Sequence, residues 1–152
     1  MENDQNNQQP ALIIHSQYIK DLSLEAPMAP EIFREMNKAP EVHVDINMEN
    51  RKLDDGSYEV VLIAKMDADV NQKKLFIIEL SYGCVAEVNV PAEQLEPVLF
   101  IELPRLLFPF VRSTIASNLS AAGLPPMMIS PIDFVALYHA KKMQEAKQAN
   151  NQ

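Results

Sequence analysis

From Glu41 to Glu49 the chain reads EVHVDINME, and apolar and polar residues alternate without a fault. Val42, Val44, Ile46 and Met48 share one face, and Glu41, His43, Asp45, Asn47 and Glu49 the other. That is the period of a half-buried strand. Residues 58–70 repeat it, with Tyr58, Val60, Leu62, Ala64 and Met66 on one side. DDGS at 54–57 supplies the turn between the two runs, and NQKK at 71–74 turns the chain again. LFIIELSYGCVAEV, residues 75–88, predicts a further strand, apolar on both faces and so expected to be covered on both. The short connections imply an antiparallel meander. Upstream, residues 11–26 read as a strand whose phase slips where Tyr18 and Ile19 adjoin, the mark of a bulge. Near its end, in KDLSLEAP, Leu22 and Leu24 point one way and Asp21, Ser23 and Glu25 the other. Pro27, Pro30 and Pro40 make the following stretch a loop with one helical turn.

Beyond Pro91 the period changes. AEQLEPVLFIEL reads as a short helix interrupted at Pro97. Pro104 then suits the first turn of a longer helix, along which Leu107, Val111, Ile115 and Leu119 form one stripe, with Gly123 as its cap. LPPMMISP is a linker. Ser130 is expected to cap the last helix, with Pro131 in its first turn, Asp133 facing the dipole, and Phe134, Leu137 and Tyr138 on its apolar side. Strands followed by helices predict an α+β fold: a four-stranded antiparallel sheet with two main helices packed on one face.

The 152 residues are 47% hydrophobic, enough for one domain with a real core, read as 11–142 between flexible polar tails at 1–10 and 143–152. Thirteen Lys and Arg against 21 Asp and Glu give a net charge of −8. This argues against nucleic-acid binding, which needs cations to neutralise phosphates. The acid is concentrated: residues 1–96 hold 18 acids and 8 bases, residues 97–152 only 3 and 5. A basic partner is the natural inference. The single cysteine, Cys84, excludes an internal disulfide and suits a reducing compartment. MENDQNNQQP has no apolar stretch of the kind that marks a signal peptide, and no run approaches membrane-spanning length, so a soluble cytoplasmic protein without membrane insertion is expected.

Catalytic chemistry has little to stand on, and no enzyme is expected. Three scattered glycines build no phosphate loop, and His15, His43 and His139 have no metal-ligand spacing. His43 between Glu41 and Asp45 resembles a base oriented by carboxylates, and a small α+β enzyme or ligand binder using it is the rival reading. Strand alternation alone produces that spacing, however. An enclosed pocket holding His43 would favour the enzyme. Asp21 and Glu25 lack further candidate ligands for a metal. Glu79, set among aliphatics in FIIELSYG on the face of Leu75 and Ile77, reads as part of a protein-docking patch. Eight methionines suit adaptable surfaces, and the two-sided apolar fourth strand predicts self-association.

Four segments in order, YIKDLSLEAPMAP, YEVVL, LFPFVR and SPIDFVALY, resemble the SecB family of protein-export chaperones, over roughly residues 11–142. The resemblance implies a cytoplasmic homotetramer, a dimer of dimers, that holds unfolded precursor proteins and passes them to the SecA motor. It implies SecA docking at Asp21, Glu25, Ile77 and Glu79, with the zinc on the partner and no cofactor or metal here. By resemblance, Ile78, Leu80 and Tyr82 fall at the oligomer contact. Clients would lie in grooves lined by Val42, Val44, Ile46 and Tyr138, with Met127, Met128 and Phe134 added by position. A SecB-like chaperone dedicated to one partner, such as a toxin–antitoxin pair, is the alternative. Many relatives carry a tryptophan before the second strand, where REMNKAPEV has Met36 and Lys38 instead.

Overall fold

A computed structural model describes residues 9–151, so the tail expected at 1–10 lies almost wholly outside the described residues. Four strands, β1 (Leu12–Glu25), β2 (Glu41–Lys52), β3 (Tyr58–Val70) and β4 (Lys73–Val88), form one antiparallel sheet in the order β1-β4-β3-β2. The last three make the expected meander. β1 pairs with β4, so residues 26–40 cross from one edge of the sheet to the other, with Ile32 buried on the way. The β3–β4 turn is two residues long, Asn71 and Gln72, at φ of 49° and 65°. Both are left-handed, which matches the twist of a tight hairpin. The slip in β1 is real: its register shifts between Ile14 and Ser16 and again between Ile19 and Asp21.

Register sorts every side chain onto a face. Val60, Leu62, Ala64, Met66 and Ala68 of β3 lie opposite Cys84, Tyr82, Leu80, Ile78 and Phe76 of β4, and all are buried beneath the helices. The covering layer begins with α1 (Ala92–Pro97), passes through a π-helical turn (Val98–Glu102) and continues as α2 (Leu103–Ala121). Pro97 does not interrupt it. Only one N–H is missing, and the wider turn that follows absorbs the ring. Leu107, Val111, Ile115 and Leu119 all point into the core, as their spacing predicts. At the end of α2, Gly123 (φ 78°) donates to Ser120 O and Leu124 N–H donates to Leu119 O, which tucks Leu124 under the helix.

α3 (Phe134–Asn150) begins later than expected. Asp133, not Ser130, is its cap, its Oδ1 accepting from Ala136 N–H at 3.0 Å. The helix also runs through 143–150, expected as a flexible tail; those residues are helical and exposed. Its packing end is anchored by Phe134 edge-on to Phe108, by Tyr138 against Phe100, and by Lys141 donating to Met48 O at 2.6 Å.

The other face of the sheet is closed at one end by a polar knot. Glu59, only 7% exposed, accepts hydrogen bonds from Lys20 (2.8 Å), Tyr18 and Arg51 (3.0 Å). These donors hold its carboxyl at about 2, Lys20 contributing most, while burial pushes the Tyr18 phenol up to about 12. A carboxyl depressed in the folded state stabilises above its unfolded value of 4.5, and that contribution fades as pH falls through 4.5 towards 2. Glu59→Gln is therefore expected to lose about 3 kcal/mol at pH 7 and much less at pH 3. Thermal melts of both proteins at the two pH values check this; an equal loss at both would refute it.

Candidate functional site

On the outer sheet face the register sets Glu25 opposite Ile77, Ser23 opposite Glu79 and Asp21 opposite Ser81. Glu79 thus lies diagonal to both β1 carboxylates, about 7–8 Å from each by strand geometry. Asp21, Glu25 and Glu79 are exposed and Ile77 is half-buried. The four expected residues are brought together. Leu75, expected beside them, is not: it is unopposed at the β3–β4 register shift and fully buried. Lys65 Nζ, 3.4 Å from Glu79, is the cation inside this patch, and Glu41 and Asp45 extend the acid along β2.

His43 lies on this same face. Its Nδ1 is 3.1 Å from Asp67 and 3.8 Å from Asp69, and its Nε2 is 3.5 Å from Glu41. The ligand atoms of His43, Asp67 and Asp69 lie within 4.8 Å of one another. Lys74 already binds both carboxylates, at 2.9 and 3.0 Å, and holds Asp67 below the usual carboxylate range, so a metal would have to displace an ammonium group. Cys84 is buried and its thiol is pushed up to about 11, which leaves no thiolate nucleophile.

The opposite face of β2 is apolar. Because α2 lies over β3 and β4 and α3 stands off to the side, Val42, Val44 and Ile46 form the floor of an open groove of about 950 Å³. Its far wall is Met127, Met128, Ile132 and Leu137. Val42 and Val44 remain 40% and 42% exposed, and Met128 67%. His43 does not line this groove; it is on the other side of the strand. The arrangement that would favour an enzyme is therefore not what surrounds His43.

Five of the seven expected groove residues meet here, and two do not. Phe134 and Tyr138 are buried, and the wall of α3 is built instead from Ala136 and Leu137. The physical reason is helical phase: Phe134 and Tyr138, one turn apart, share the face of α3 that packs on Phe108 and Phe100. The expected contact residues Ile78 and Leu80 are also corrected. Both are fully enclosed by α2 within the protomer and present no surface to a second copy. Tyr82 is nearly buried, but Phe110 stacks on it with ring centres 6.0 Å apart. Phe110, Leu106 and Ile19, the last opposite Tyr82 in the register, form an exposed apolar patch that the sequence reading missed. The signal was there: Ile19 breaks the β1 alternation, and Leu106 and Phe110 fall four residues apart, off the buried stripe.

Among the described residues, no helix is long and apolar enough to cross a membrane. The family described as "Preprotein translocase subunit SecB" matches residues 5–145. The chain is 50% identical over 135 residues to "Protein-export protein SecB" of Paramagnetospirillum magneticum, covering 87% of this chain and 86% of that protein. Against the protein of the same name from Bartonella bacilliformis it is 42% identical over 147 residues, covering 96% and 92%. Among solved structures, a SecB-like chaperone of Mycobacterium tuberculosis, determined with an antitoxin peptide, superposes with a TM-score of 0.67 at 10% identity, covering 80% of this chain and 91% of that one. That likeness shows the fold. Four antiparallel strands, their helical cover and the near full-length relatives agree: this chain belongs to the SecB family of protein-export chaperones, and it is not an enzyme.

Proposed function

We propose that this chaperone holds unfolded precursor segments in the β2–α3 groove while its acidic sheet face docks the basic tail of SecA. One observation carries the reading: β2 presents Val42, Val44 and Ile46 to the groove and Glu41 and Asp45 to the opposite face, so two chemically different partners can be held at once. Extended apolar segments gain burial against aliphatic and thioether groups that repack without fixed geometry, which suits many clients. On the other face, Asp21, Glu25 and Glu79 attract cations at long range and Ile77 supplies buried area. The exposed patch of Ile19, Leu106 and Phe110 supports assembly into a tetramer, a dimer of dimers, in the cytoplasm. Joining grooves on several copies would let weak contacts along one client add through effective concentration.

The test has two arms on the assembled protein. Refolding of a slow-folding precursor should stall at equimolar tetramer, and unchanged refolding would overturn the capture reading. Charge reversal at Asp21 and Glu25 should weaken SecA binding by roughly tenfold at low salt, with a smaller loss at high salt, and leave the stall intact. Unaltered SecA binding would remove the outer face from the mechanism.

A further inference from the structure

Among the described residues three methionines are exposed, Met28, Met128 and Met143, and only Met128 lines the groove. At 67% exposure it is the most open large apolar side chain described. Met127 stands beside it, half-buried in the same wall. Both lie in the irregular segment between Gly123 and Asp133. Met48 and Met66, by contrast, are closed in the core.

We infer that Met128, with Met127, is an oxidation-sensitive modification site that switches the groove from apolar to polar. The inference rests on the reading of the groove as the capture surface. The oxidant is a peroxide. Its O–O bond breaks as one oxygen is transferred to the thioether sulfur, the sulfur loses two electrons in becoming a sulfoxide, and hydrogen peroxide leaves as water. A sulfoxide is a strong hydrogen-bond acceptor, and an apolar segment laid over it would strip its water without replacing it. The change is reversible, because sulfoxide reductases return the thioether at the expense of a dithiol. The groove floor of Val42, Val44 and Ile46 has no such chemistry, so the switch is confined to one wall.

The experiment uses the full-length assembled protein, treated with hydrogen peroxide and freed of it before any client is added. Peptide mass spectrometry locates the added oxygen, and the stall of precursor refolding measures capture. Oxidation at Met128 is expected to weaken capture by about tenfold, and treatment with sulfoxide reductase and dithiol to restore it. Each variant is scored as the ratio of its own capture after and before peroxide: for Met127→Leu/Met128→Leu that ratio should stay within about twofold, whereas Met143→Leu, outside the groove, should remain as sensitive as the parent. Parent protein oxidised at Met128 that captures as before would overturn the inference alone. So would a double variant that still loses capture. Untreated protein that ignores unfolded chains would remove the capture reading and, with it, this one.

Discussion

Gly83→Val is expected to destabilise the protomer by about 3 kcal/mol, although Gly83 has no special backbone conformation. The reason is space. A Cβ built at Gly83 would stand 2.9 Å from Tyr18 Cε2 and 3.0 Å from its Cζ. A flexible ring could swing aside at little cost, but this one is fastened through its hydroxyl to Glu59. Moving it breaks that hydrogen bond and opens the buried carboxylate that Lys20 and Arg51 also serve. Chemical denaturation of Gly83→Val, Tyr18→Ala and the double variant separates the terms. In the Tyr18→Ala background the valine should cost at most a third of its original effect. Full cost in that background would mean that the clash lies elsewhere.

The second large effect concerns capture and not folding. Val42→Asp/Val44→Asp should lower client affinity about 100-fold while changing the melting temperature by only a few degrees. Both side chains are about 40% exposed, so carboxylates there remain hydrated in the free protein. Once a client covers the groove they lose that water, and Asp133 in the groove lining adds like charge. Serine at both positions should give a much smaller loss. Binding of a fluorescent unfolded client, measured alongside thermal melts, decides it: a matching collapse in stability would mean that the substitution had unfolded the strand.

How far the sequence could lead depended on the period that each element obeys. Strand parity is unforgiving, since one residue's slip reverses a face, and the faces of β2 and β3 were therefore legible, although β2 runs on to Lys52 past the expected 41–49. Tyr18–Ile19 revealed the bulge because two adjacent apolar residues cannot share a face. What parity could not reveal was which face the helices would take. Ile78 and Leu80 lie on the covered one, and family likeness alone had assigned them to the contact between copies. Nor could the composition of β4 show that Tyr18, Lys20 and Arg51 would roof its outer end, so that two apolar faces needed only one helical layer. In α3 the start was misplaced, because Ser130 and Asp133 are both good caps. Phe134 and Tyr138 had been assigned to the groove by family likeness and by position, and their apolar character alone could not say that they would pack on Phe108 and Phe100 instead.

One small contact bears on a hazard of this trade. A protein that gathers sticky, extended polypeptides beside the border of a sheet risks becoming a template on which they stack. At Met48 both main-chain groups are already occupied by side chains, the amide by Asn47 and the carbonyl by Lys141. Those two bonds take Met48 out of the row of free main-chain groups along the β2 edge, so strand-like addition of a bound chain is interrupted at that residue.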